Sequence, residues 1–265
     1  MANLLERARN GDCLADVGII DLHGHIGPYT FAIPDLANEG LIAVMNRLGV
    51  AQIAVSDMTA WSTDIEYGNE RVLTAIRAFP DRILGYVGIW PSDHALVRNQ
   101  VSYWLNQGFF GLKLHNSNGF SYMDEAYQPA YAVANERGLP MLFHTWGGEA
   151  EFTAIAQIAE RYPQTSILLA HSGSANEAGY LALARKHPNV YLDLAFSASP
   201  RGLVKRLVEA VGAERITFGS DCYFFSLTQQ IGKVLGADIS DQDKIRILST
   251  NARNIIAKRR AHQTS

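Results

Sequence analysis

In the stretch IIDLHGHIGP, a run of apolar β-forming residues ends in two histidines one residue apart. Residues two apart on a strand point to one face, so His23 and His25 would stand side by side with Asp21 one step below them. Two imidazoles on one wall suit a metal ion. The pattern recurs along the chain. GLKLH places Lys113 and His115 two apart, while PMLFH ends at His144, SILLAH at His171 and RITFGSD at Asp221. Five of the chain's eight histidines, with one lysine and one carboxylate, therefore close short apolar runs. Burying them together would be costly unless a cation or a dense hydrogen-bond network satisfied them. Histidine nitrogen and carboxylate oxygen suit zinc first, with manganese, iron or cobalt as alternatives, and leave an open position for water. Such an ion lowers the pKa of bound water from about 15.7 to near 7, and hydrolysis is the natural use. His94, His187 and His262 fall in loop or helix patterns and are assigned no role.

The elements that must position these groups follow from the apolar periodicity. Strand candidates are VGIIDLH, AQIAVSD, ILGYVGIW, GLKLH, PMLFH, SILLAH, VYLDLAF and RITFGSD, eight in all. Between them lie helical patterns such as LIAVMNRLG, NERVLTAIRAFP and EFTAIAQIAERYP, several stopped by Gly or Pro just before the next strand. No composition break marks a linker, so residues 1–265 read as one domain. Eight consecutive β-loop-α units with strands apolar on both faces predict an α/β fold, a single (β/α)8 TIM barrel. SLTQQIGKVLG, DQDKIRILST and NARNIIAKRR follow the eighth strand as extra C-terminal helices. An open doubly wound sheet is the rival, but HGHIGP after the first strand is no glycine-rich dinucleotide loop. In such a barrel the active site lies at the C-terminal strand ends, where the polar residues cluster.

Composition narrows the partners. The chain is 48% apolar and 18% charged with net charge −3, an ordinary globular balance with no basic field for nucleic acid. The run Lys258-Arg259-Arg260 is expected to be a solvated helix end. Cys13 and Cys222 are too few for a disulfide framework or a thiolate zinc site, which points to a reducing compartment. No signal-peptide core or apolar run of membrane-spanning length is found, so the expectation is a cytoplasmic protein without membrane contact.

These motifs, in this order and strand placement, resemble the amidohydrolase superfamily, particularly its amidohydrolase-2 branch of metal-dependent barrels. The likeness runs from IIDLHGH through GLKLH, FHTW, AHSG and FGSD to NARNI. The resemblance implies that His23, His25, His144 and Asp221 bind the principal metal ion, one ion rather than two. His171 would hydrogen-bond the bound water, or serve as a ligand of a second ion. Asp221 would act as general base and then general acid. Lys113, carboxylated in binuclear relatives, would otherwise orient substrate or position neighbours; its plainer reading is an uncharged or ion-paired structural lysine beside Asp193 or Asp57. His115 would contact substrate or support its neighbours. The same branch contains metal-dependent decarboxylases of aromatic or unsaturated acids. Those relatives generally lack the fourth-strand lysine and run longer, so the reading leans to hydrolysis of an amide, lactone or ester.

Residues following the strands describe the substrate side. Tyr29, Phe31, Trp61, Trp90, Trp146, Phe196, Tyr223, Phe224 and Phe225 would line a flat apolar pocket, favouring a small aromatic or cyclic molecule over a phosphorylated one. Arg201 is the one arginine placed near the mouth by sequence, a candidate grip for a single acid group. Self-association through the outer helices, as a homodimer or larger homo-oligomer, completes the expectation.

Overall fold

A computed structural model describes residues 3–30, 32–33, 37–91, 94–196 and 199–263. Among these, eight strands run parallel in sequential order: β1 (Ile19–Ile26), β2 (Val50–Asp57), β3 (Ile83–Gly88), β4 (Gly111–Leu114), β5 (Pro140–Phe143), β6 (Ser166–Leu169), β7 (Val190–Asp193) and β8 (Ile216–Thr217). The helices are α1 (Leu4–Arg9), α2 (Asn38–Leu48), α3 (Thr59–Ser62), α4 (Ile65–Ala78), α5 (His94–Asn106), α6 (Gln128–Glu136), α7 (Glu149–Arg161), α8 (Glu177–Lys186), α9 (Leu203–Val211), α10 (Leu227–Leu235), α11 (Asp241–Ile245) and α12 (Asn251–Gln263). This is the (β/α)8 barrel with added C-terminal helices. None of the described helices is long and apolar enough to cross a membrane.

Alternation along the strands separates two apolar layers. Ile53, Val55, Leu112, Met141, Phe143, Ile167, Leu169 and Leu192 face the helices. Ile20, Leu22, Ala54, Tyr86, Phe110, Leu142 and Leu168 fill the barrel, closed from below by Ala252, Ile255 and Ile256 of α12. Arg259 also belongs to this floor. Its guanidinium donates to the Phe109 carbonyl at 2.7 Å and lies over the Phe110 ring. The basic run at the C-terminus is thus not simply a solvated helix end, because one of its cations closes the barrel bottom.

Tyr86 is fully buried and donates its hydroxyl to the Leu22 carbonyl at 2.9 Å, directly before His23. Tyr86→Phe should leave that carbonyl without its donor and lower stability by about 1–3 kcal/mol. Denaturant unfolding measures this, and an unchanged midpoint would show that water or a neighbour replaces the hydroxyl.

The barrel closes between β8 and β1 through an irregular seam. Leu22 N–H donates to Phe218 O at 2.9 Å, and Asp221 N–H to His23 O at 2.7 Å. Asp21 joins both sides, its Oδ1 accepting the backbone N–H of His23 and of Ser220, each at 3.0 Å. Against β2, β1 carries one extra residue between Asp21 and Gly24, a bulge of the kind that re-aims side chains. The bulge corrects the simple alternation expected for this strand. Ile20 and Leu22 face the interior, and after the shift His23 and His25 do so instead. Asp21 is therefore a clasp across the seam, not the lower member of one file of side chains.

Candidate metal centre

Three side chains converge on the seam. The ligand atoms of His23, His25 and Asp221 all lie within 4.8 Å of one another, and all three residues are buried. His25 Nε2 is 3.0 Å from Asp221 Oδ1, and His23 Nε2 is 3.6 Å from the same oxygen. Asp221 takes the left-handed conformation (φ 57°), which turns its carboxylate back towards β1 just past the short β8. Burial opposes ionisation of Asp221. The hydrogen bond from His25 and the nearby imidazoles of His23 and His171 outweigh it and hold the carboxyl well below the usual carboxylate range.

Outer partners orient both histidines. His23 Nδ1 donates to Asp193 Oδ1 at 3.0 Å, so in the neutral ring the lone pair sits on Nε2, facing Asp221. His25 Nδ1 meets the Ser56 hydroxyl at 3.1 Å, a partner able to donate or accept and so to support either tautomer. Burial pushes both imidazoles down from their ordinary pKa and favours the neutral, ligating form. Asp193 also accepts the Ala195 N–H at 3.1 Å; burial raises its carboxyl to about 6. Asp21, again through burial, rises to about 7.

His144 and His171 form a second pair beside this group. His171, left-handed at φ 60°, points its Nδ1 at the Ala195 carbonyl at 3.1 Å, an atom that only accepts. Burial lowers the pKa of both rings, and in the neutral pair His171 Nε2 accepts from His144 Nδ1 at 3.3 Å. The remaining lone pair belongs to His144 Nε2, which is buried and among the described residues has no hydrogen-bond partner. A buried acceptor left in this state beside three convergent ligand atoms fits a cation, and the N/O donor set fits a divalent ion.

Lys113 is fully buried, with Nζ 3.0 Å from His23 Nε2. Burial lowers its pKa to about 8 against the opposing pull of Asp221 and Asp193. Neither expected ion pair forms. Asp57 is engaged by Arg71 at 2.8 Å and by the Thr59 N–H, and Asp193 bonds His23. His115 stacks on His144 with ring centroids 3.8 Å apart, and burial lowers its pKa to about 3.

Trp146 lies edge-on to His144 at 4.5 Å and nearly parallel to His171 at 5.6 Å. Trp61 lies 5.9 Å from His115, and Phe196 5.4 Å from His171. Phe224 packs between His25 and Tyr29, while Phe225 meets Phe196. Tyr223 donates to Ala37 O. Trp90 is exposed, and among the described residues it has no ring contact with these histidines. Phe31 falls outside the described residues. Arg201 is not brought to the metal group. Residues 199–202 turn into α9 there, and Arg201 lines a separate cavity of about 400 Å³ with Lys205, Lys233 and Asp238. Asp193 and Ser56 are the polar groups the sequence did not single out for orienting His23 and His25; a strand-terminal carboxylate such as Asp193 was the one available signal.

The sequence matches the amidohydrolase family (Amidohydro_2) over residues 20–256. The chain belongs to this family. No curated protein matches it. Among solved structures, an uncharacterized TIM-barrel protein from Bordetella bronchiseptica superposes with TM-score 0.75 at 18% identity, covering 91% of this chain and 99% of that one. The 2,6-dihydroxybenzoate decarboxylase from Rhizobium gives 0.73 at 15% identity, covering 91% and 98%. A dihydroxybenzoic acid decarboxylase from a Polaromonas species, with bound manganese and the inhibitor 2-nitroresorcinol, gives 0.72 at 17% identity, covering 91% and 97%. At these identities the likeness is one of fold.

Proposed function

We propose that this amidohydrolase-family chain is a single-metal hydrolase of small cyclic or aromatic carbonyl compounds. The observation that carries the reading is the convergence of His23, His25 and Asp221 beside the Nε2 of His144, which has no hydrogen-bond partner among the described residues. These four residues would hold one divalent ion, zinc by donor type and manganese as the alternative. When bound, such an ion polarises a carbonyl and acidifies water. Asp221, held ionised, accepts a proton from the attacking water and returns it to the leaving group. His171, its Nδ1 proton fixed on Ala195, accepts the His144 Nδ1 proton at Nε2 and so leaves the lone pair of His144 Nε2 for the ion. Lys113 donates towards the same space and can steady a developing negative charge. Trp146, Phe196, Phe224 and the His115 ring form walls that exclude water around a flat substrate. The two free cysteines, Cys13 and Cys222, suit the cytoplasmic setting that belongs to the same reading.

Decarboxylation is the second reading, favoured by the activities named for the Rhizobium and Polaromonas proteins. Length does not separate this chain from them, since the match spans nearly all of each. Lys113 remains the feature that leans to hydrolysis.

Zinc- or manganese-loaded protein should convert aromatic lactones or anilides with incorporation of one ¹⁸O from labelled water and no carbon dioxide. A chelator should abolish turnover and added metal restore it. Release of carbon dioxide from aromatic acids without ¹⁸O uptake would establish the second reading; full activity without metal would refute both. 2-Nitroresorcinol serves as a binding probe for the metal-loaded site.

A further inference from the structure

Glu151 stands in the first turn of α7, outside the metal group, and its carboxylate meets three donors. Oε2 accepts the Trp146 N–H at 3.0 Å and the Gly148 N–H at 3.2 Å, while Oε1 accepts from the Asn116 side-chain amide. The Gly148 bond is an ordinary helix cap. The other two are not required for capping, because they reach the segments that follow β4 and β5. Asn116 directly follows His115, and Trp146 follows His144 by two residues. Both rings brought in this way, His115 and Trp146, rest on His144. Trp146 is 55% exposed, and among the described residues its indole makes no hydrogen bond. Ring contacts and the backbone bond to Glu151 are what hold it against His171.

We infer that Glu151 is a positioning residue: it fastens the loops after β4 and β5 together and sets the Trp146–His115 wall that selects flat substrates. The inference rests on the barrel mouth being the reaction site. It also explains the residue type. Trp146 and Gly148 present backbone N–H groups that can only donate, so an acceptor oxygen is required there, and alanine removes it together with the tie to Asn116.

Glu151→Ala tests this, compared with the native chain and with each protein also carrying Trp146→Phe so that Trp146 emission is obtained by difference. Acrylamide quenching of Trp146 should rise by up to about twofold, because the residue is already half exposed. Affinity of the manganese-loaded protein for 2-nitroresorcinol should fall by about tenfold, while manganese affinity stays within about twofold. A residue that only caps α7 would lower thermal stability without moving Trp146 quenching or probe affinity, and that result overturns the inference. Asn116→Ala keeps the cap and should raise quenching in the same direction, so it carries the test if the Glu151→Ala variant does not fold. If the native chain binds neither manganese nor the probe, the metal reading fails, and the Trp146 quenching still judges Glu151.

Discussion

Asp221→Asn is expected to strip the barrel of its divalent ion while leaving the fold intact. The substitution keeps the side-chain shape, and asparagine tolerates the left-handed backbone found at φ 57° better than most residues. What it removes is charge. Asp221 Oδ1 is the atom shared by His25 at 3.0 Å and His23 at 3.6 Å, so a neutral amide there leaves the two imidazoles without the anion that balances a cation. Loss of an outer partner alone costs about 10–100-fold in metal affinity, so removal of a ligand should cost at least about 100-fold. Any activity should fall by about 10²–10⁴-fold, the usual contribution of a positioned acid or base. Metal content by elemental analysis and titration calorimetry on the folded variant provide the check. Unchanged metal binding in this variant would place the site elsewhere.

The two strand layers and the gathering of His23, His25 and Asp221 were legible because both obey simple periodicity. Each strand is an apolar run with both faces buried, and its polar residues gather where the run ends. The exact aim of those residues was not legible. The bulge between Asp21 and Gly24 inverts the side-chain phase of β1, and the extra residue leaves no mark in the pattern IIDLHGH. His171, Phe196 and Asp221 adopt positive φ although none is glycine, a conformation imposed by tertiary packing and not by local propensity. Arg201 was placed near the mouth because it follows β7 in sequence; in the fold it lines the cavity with Lys205, Lys233 and Asp238. Glu151 reads from the sequence as an ordinary charge in the first turn of a helix; its reach to Asn116 requires the fold.

Gly219→Ala should be the most damaging single-methyl change at the site. Gly219 is not a left-handed glycine, so the reason for it is space. A Cβ there would lie 2.0 Å from Asp193 Oδ2 and 2.7 Å from the Cβ of His23. The Asp193 carboxylate is pressed against this position because Oδ1 is committed to His23 Nδ1 and to the Ala195 N–H. An added methyl must displace Asp193, His23 or the β8 backbone, all buried. Overpacking of this kind costs about 1–3 kcal/mol, and the closeness of the 2.0 Å contact puts the expected loss at the upper end. Displacing Asp193 also releases His23 from the tautomer that presents Nε2, so metal affinity should drop by about 10–100-fold in whatever fraction folds. Adding Asp193→Ala to Gly219→Ala separates the two effects. The double variant should recover part of the stability, because the carboxylate no longer clashes, but none of the metal affinity, because His23 still lacks its partner. Equal recovery of both would mean that Asp193 only fills space and does not orient His23.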